Sequence, residues 1–106
     1  PMIAKIIIKR RFVEGKTRQV FALLNEIRSR AMQQSGYSSG ETLVKPDYPQ
    51  NMAVIATWEN LEDWLSWKEN PERHKFEEML AIYQTRPTEY EEYLLGSALK
   101  SEDPEF

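Results

Sequence analysis

Hydrophobic and polar positions divide the chain into a succession of short strands and helices. Residues 2–12 carry Ile3, Ile6, Ile7 and Ile8, a β-branched density that predicts a strand, with Lys5 and Lys9 on one alternating face. Glu14-Gly15-Lys16 reads as a turn. Over 17–35 the period becomes helical: Val20, Leu24, Ile27 and Ala31 recur on one stripe, which Phe21 and Leu23 widen. Gly36 stands where a helix C-terminal cap belongs, and a second strand is expected over 37–44. After the turn-rich Pro46-Asp47-Tyr48-Pro49-Gln50-Asn51, residues 52–59 are apolar almost throughout, which predicts a central strand covered on both faces.

Asn60 then caps a short helix, with Asp63 at its third position and Leu61, Trp64, Leu65 and Lys68 on one face. Asn70-Pro71 breaks that helix and starts another, because Asn caps and Pro suits the first helical position. Phe76, Met79, Leu80 and Tyr83 form the next stripe, and Arg86-Pro87 ends it. The last strand is expected over 88–95, with Tyr90, Glu92 and Leu94 facing one way and Glu91, Tyr93 and Leu95 the other.

The order β-α-β-β-α-α-β, with the two short helices counted as one broken unit, is α+β: a ferredoxin-like split βαβ with a four-stranded antiparallel sheet. One domain over 1–96 and a polar, acidic tail over 97–106 are expected. The predicted core holds Phe21, Leu24, Ile27, Trp58, Phe76 and Leu80. Helices on one side leave the other sheet face bare, so a homodimer through that face is expected.

Composition narrows the function. The 106 residues suffice for one domain, and the absence of cysteine removes disulfides and thiolate chemistry. A net charge of −3 argues against nucleic-acid binding. The one basic cluster, Lys9-Arg10-Arg11, reads as a solvated strand end. No apolar run approaches the roughly 20 residues that span a bilayer, so no membrane association is expected. Met2 to Lys5 begin a strand and do not read as a signal peptide, and Pro1 reads as following a removed initiator Met. A soluble, cytoplasmic protein is the expectation. With one histidine and no cysteine, no metal site is expected, and the acidic residues at 89, 91 and 92 read as a solvated strand edge.

The segment Thr57-Trp58-Glu59-Asn60-Leu61-Glu62-Asp63-Trp64-Leu65-Ser66-Trp67-Lys68-Glu69-Asn70-Pro71-Glu72-Arg73 resembles the strand-to-helix signature of the antibiotic biosynthesis monooxygenase (ABM) family. Its skeleton is a Trp ending a strand, an acidic pair, two Trp three apart and an Asn-Pro step. Gly36 to Val44 and Pro87 to Tyr93 add supporting matches, so the resemblance covers about residues 2 to 95. It implies a dimeric α+β barrel, two sheets packed face to face, with a pocket in each subunit between sheet and helices. It also implies one of two roles. The first is a cofactor-independent monooxygenase acting on a small phenolic or quinol-like aromatic. The second is a non-catalytic, small-ligand-binding or orphan dimer of the same fold.

Cofactor-free oxygenation needs an apolar cavity, a way to remove a proton and donors for the resulting anion. Arg73 is the candidate to hold an oxyanion and His74 the candidate to take a proton. Trp67, Trp58, Tyr37 and Tyr83 are candidate substrate-binding walls. Each also has a structural reading: the tryptophans as core, the lone helical histidine as a solvated side chain. Arg73 falls in the first turn of a helix, where the macrodipole disfavours a cation, so it needs a partner such as Glu69 or Glu77, or a ligand anion. The haem-degrading branch of the family resembles a set of a first-strand Asn, a helical Trp and a later His. Here the first strand has no Asn, Trp67 matches the Trp and Glu77 stands at the His position, so haem is not expected.

Overall fold

The computed structural model describes residues 2–96. It contains β1 (Ala4–Arg11), α1 (Thr17–Ala31), β2 (Tyr37–Val44), β3 (Asn51–Trp58), α2 (Leu61–Lys68), α3 (Pro71–Ala81) and β4 (Glu89–Leu94). Pro1 and the tail expected at 97–106 lie outside the described residues. The four strands form one sheet in the order β2-β3-β1-β4, and every neighbouring pair is antiparallel. This is the ferredoxin-like arrangement, with β1 and β3 central.

Strand alternation decides what each central residue meets. On β1, Ala4, Ile6, Ile8 and Arg10 are buried, whereas Lys5, Lys9 and Arg11 are exposed. Arg10 is thus in phase with the core and only 5% exposed, which corrects the reading of Lys9-Arg10-Arg11 as a solvated end. On β3, Met52, Ala56 and Trp58 are buried, while Ala53, Ile55 and Thr57 on the opposite face are only partly so. The expectation that β3 is covered on both faces therefore fails within one chain. Its apolar run marks a central strand whose second face lacks helices.

Helix α1 ends at Ala31, four residues short of the expected boundary, because its apolar stripe ends there. The chain then tightens, with the Gln33 N–H donating to the Arg30 carbonyl at 3.1 Å and the Gln34 N–H to that of Ala31 at 3.0 Å. Gly36 makes the exit with φ +83°, and a Cβ there would lie 2.8 Å from the Cβ of Asp63. Its carbonyl accepts from the Glu59 N–H at 2.7 Å, so this turn also anchors the end of β3.

The two caps form as expected. The Asn60 side chain accepts from the Asp63 N–H at 2.8 Å and that of Asn70 from the Glu72 N–H at 2.8 Å, with Pro71 opening α3. The helix faces are rotated from expectation. On α2 the buried residues are Trp64 and Trp67, while Leu65 turns outward. On α3 they are Arg73 and Leu80, and Met79 is exposed. The reason is the sheet beneath: β1 and β4 offer polar partners that draw the Arg73 side of α3 inward.

Two apolar clusters fill the space between sheet and helices. One gathers Ile6, Ile8, Ile27, Trp58, Trp64 and Trp67, with Tyr37, Phe76 and Tyr90 packed against it. The other gathers Phe12, Val20, Leu24, Met52 and Leu80, with Phe21 and Tyr83 at its margin.

Candidate functional site

Beneath α2 and α3, the first cluster encloses a polar knot. Arg10 from β1 donates to Glu77 of α3 at 2.6 Å. Arg73, one helical turn before Glu77, lies 3.6 Å from its other carboxylate oxygen and donates to the Tyr90 hydroxyl at 2.9 Å. That hydroxyl donates in turn to Glu77 at 3.0 Å. The side chains of Arg10 and Arg73 are each 3% exposed and that of Glu77 16%, so one carboxylate serves two buried guanidiniums. Arg73 also lies over the rings of Trp64, at 5.4 Å, and Tyr90, at 5.3 Å. These partners resolve the unfavourable helix position of Arg73: Glu77 answers it, not Glu69. Burial pushes the Tyr90 hydroxyl pKa up, against the pull of Arg73.

Around this knot the aromatic rings interlock. Tyr37 meets Trp58 edge-on at 5.3 Å between centroids, Trp58 meets Trp64 at 6.0 Å, and Trp64 meets Tyr90 at 6.1 Å. The Trp64 indole donates to Glu92 at 2.6 Å, and Lys68 donates to the same oxygen at 3.0 Å. The Trp64 bond, then that of Lys68, draws the Glu92 carboxyl below its ordinary pKa.

A hollow opens between sheet and helices, bordered by Trp58, Trp64, Trp67, Tyr37 and three arginines, Arg10, Arg28 and Arg73. Its free volume is about 40 Å³. Arg28 donates to the Thr42 hydroxyl and, with Tyr37 and Val54, is only partly buried, so these side chains mark the mouth. Burial raises the Tyr37 hydroxyl pKa, with Arg28 opposing.

The structure therefore brings Trp58, Trp67, Tyr37 and Arg73 to one hollow. It does not bring His74 or Tyr83 there. His74 is one residue round the helix from Arg73, and its side chain is half exposed. Its Nε2 lies 3.2 Å from the Lys68 carbonyl oxygen and 3.8 Å from Glu69. Tyr83 packs at the margin of the second cluster. The residue that sequence reasoning missed is Arg10. Its signal was present in the alternation of β1, where it falls in phase with Ile6 and Ile8. Among the described residues, no cluster of His, Cys, Asp and Glu is suited to hold a metal ion.

A larger groove, about 470 Å³, lies on the open sheet side and is bordered by Lys9, Leu43, Ala53 and Glu89. Its lining also includes the buried Arg10 and Met52, and Arg10 borders the aromatic hollow as well.

Fold and interior together define a class: a ferredoxin-like α+β domain whose single helical layer roofs an aromatic hollow bordered by three arginines. Residues 3–79 match the family model described as antibiotic biosynthesis monooxygenase, and the chain belongs to that family. Solved structures with the same fold include a Nitrosomonas europaea protein ascribed to these monooxygenases (TM-score 0.81, 14% identity, covering 89% of this chain and 90% of that one). A conserved protein from Methanosarcina mazei Go1 is similar (TM-score 0.80, 11% identity, 87% and 91% covered). So is SnoaB, a cofactor-independent oxygenase from Streptomyces nogalater (TM-score 0.77, 14% identity, 88% and 92% covered). No curated protein matches the chain in sequence.

Proposed function

We propose that the protein is a cofactor-independent monooxygenase that oxidises a small phenolic or quinol-like aromatic in the hollow between sheet and helices. The observation that carries this reading is the enclosure of one hollow by Trp58, Trp64, Trp67 and the buried Arg73. Family membership supports it. In such a reaction the substrate is its own reductant: a phenol and O2 become a quinone and water. The protein must favour the phenolate, which gives up electrons more readily than the phenol. A cationic wall does this by lowering the phenol's pKa against the upward push of burial, so the proton can pass to water without a dedicated base. Arg73 supplies that charge, and Trp58, Trp67 and Tyr37 supply the walls. His74, outside the hollow, has no part in the step. The free space is small, so a ring enters only as Tyr37 and Arg28 yield at the mouth.

The functional unit in this proposal is a homodimer. The sheet face away from the helices carries Ile7, Ile55, Ala53 and Leu43 in register across β1, β3 and β2, with Lys5, Lys9, Glu41 and Glu91 among them. An apolar band with interspersed charges suits a second copy turned about a two-fold axis.

Oxygen uptake with a panel of quinols tests the activity. Arg73→Ala should lower the rate at least tenfold and His74→Ala should leave it within twofold. Equal rates for wild type and Arg73→Ala would remove Arg73 from the site. No uptake with any quinol would favour the ligand-binding reading.

A further inference from the structure

Gly40 stands in the interior of β2, where a glycine weakens a strand. Its backbone does not demand one: among the described residues, only Gly15 and Gly36 have positive φ. The reason lies beside it. A Cβ on Gly40 would fall 2.5 Å from the Tyr37 hydroxyl oxygen and 3.6 Å from Tyr37 Cζ, so the hydroxyl fills the space a side chain would take. Residues three apart on a regular strand point to opposite faces. Here a bulge between Tyr37 and Ser39 breaks the alternation: Tyr37 pairs with Trp58, Ser39 with Thr57 and Gly40 with Ala56. Tyr37 and Gly40 therefore share the helix-facing side with the buried Trp58 and Ala56. Tyr37 meets Trp58 edge-on and borders the hollow while remaining partly exposed. Arg28, on the other side of the mouth, is tied to Thr42 of β2.

We infer that Gly40 is a specificity-determining residue: it seats the Tyr37 hydroxyl, and that seat holds the Tyr37 ring across the mouth and sets what the hollow admits. This rests on the hollow being the ligand site. With Arg28 tied to Thr42, Tyr37 is the side that yields. A side chain at position 40 evicts the hydroxyl at little cost, because the hydroxyl is the far end of a side chain that can turn. The evicted ring has one way to go. The free space within, about 40 Å³, holds little more than one water of ~30 Å³ and no aromatic ring, so the ring swings outward. A larger residue at position 40 thus widens the mouth. Glycine keeps it narrow and favours a single ring over a fused pair.

The chain contains three tryptophans, all buried and all bordering the hollow, so acrylamide quenching of their emission in the full chain reads the mouth without any substrate. Gly40→Ala should raise the Stern–Volmer constant about twofold, with circular dichroism and the urea midpoint close to those of wild type. Adding Tyr37→Phe should restore the wild-type constant, because the ring without its hydroxyl leaves Cζ at 3.6 Å, an ordinary contact. With a benzene-ring and a naphthalene-ring quinol, Gly40→Ala should raise the rate on the fused-ring one relative to the other about threefold, and the double variant should cancel the gain. An unchanged constant in Gly40→Ala, a rise that Tyr37→Phe does not reverse, or raised quenching with an unchanged preference between the quinols overturns the inference. Should Gly40→Ala fail to fold, the double variant decides, since a clash with the hydroxyl is relieved in it. Folding with wild-type quenching upholds the seat, and failure to fold overturns it. The expected quenching pattern with no oxygen uptake on any quinol would keep the seat and sink the oxygenase. Oxygen uptake by a Gly40→Ala protein that quenches like wild type would do the reverse.

Discussion

Replacing Glu77 by alanine leaves the Arg10 and Arg73 guanidiniums, each 3% exposed, without their shared carboxylate. At an effective dielectric near 20, opposite charges about 3 Å apart attract by roughly 5–6 kcal/mol before desolvation. Desolvation offsets much of this in the intact knot, but removing one partner keeps that cost and loses the attraction. Breaking a buried pair in this way costs about 3–5 kcal/mol. Against a total stability of roughly 5–15 kcal/mol for a domain, that is a large share. With a urea slope near 1.5 kcal/mol per M, the unfolding midpoint should fall by about 2–3 M at fixed protein concentration. Circular dichroism during urea titration measures it. Glu77→Gln, which keeps an acceptor oxygen, should lose less. Arg10→Met added to Glu77→Ala should cost less than the two changes summed, with a coupling of about 1–3 kcal/mol. A loss under about 1 kcal/mol for Glu77→Ala, or strict additivity with Arg10→Met, would show that the knot is hydrated and that the charge argument is wrong.

Leu80→Ala, at a fully buried position, should cost about 2–5 kcal/mol by thermal or urea unfolding, and Phe76→Ala, only partly buried under the Arg30 guanidinium at 5.8 Å, should cost less. Because the folded state depresses the Glu92 pKa, its contribution is full above the ordinary carboxylate pKa and fades as pH falls through the folded value. Glu92→Gln should therefore flatten the acid limb of the stability profile below about pH 5, and an unchanged limb would remove Glu92 from that role. Sedimentation at micromolar concentration should show a dimer for wild type and a monomer for Ile55→Lys, which sets a charge in the middle of the open sheet face; a wild-type monomer would refute the dimer. A haem titration should give no saturable, stoichiometric Soret shift, since Glu77 is held by Arg10 and Tyr90 where the haem branch resembles a ligand His.

Much of the fold was legible in the sequence because its signals are local. Periodicity switches between two and 3.6 residues at Gly15, Gly36 and Asn60, and cap chemistry at Asn60 and Asn70 needs only neighbours three or fewer residues away. The element order then left few topologies for a single sheet. The family signature running from Trp58 to Arg73 was legible too, being a contiguous stretch that lies within the matched region.

What depends on residues distant in the chain was decided only by the tertiary structure. Which face of α2 and α3 turns inward was settled by the partners beneath them: Glu92 for the Trp64 indole, and Tyr90 and Arg10 for the Arg73–Glu77 side. Hydrophobicity alone placed Leu65 and Met79 inside, because no apolar scale foresees that two arginines and a glutamate are worth burying together. The separation of Arg73 from its neighbour His74 follows from about 100° of helical rotation, yet which of the two faces the sheet required the packing of α3. Arg10 lies between both cases. Its phase on β1 was readable from the alternation of Ile6 and Ile8, but its carboxylate stands 67 residues further along the chain, and only the fold brings the two to 2.6 Å.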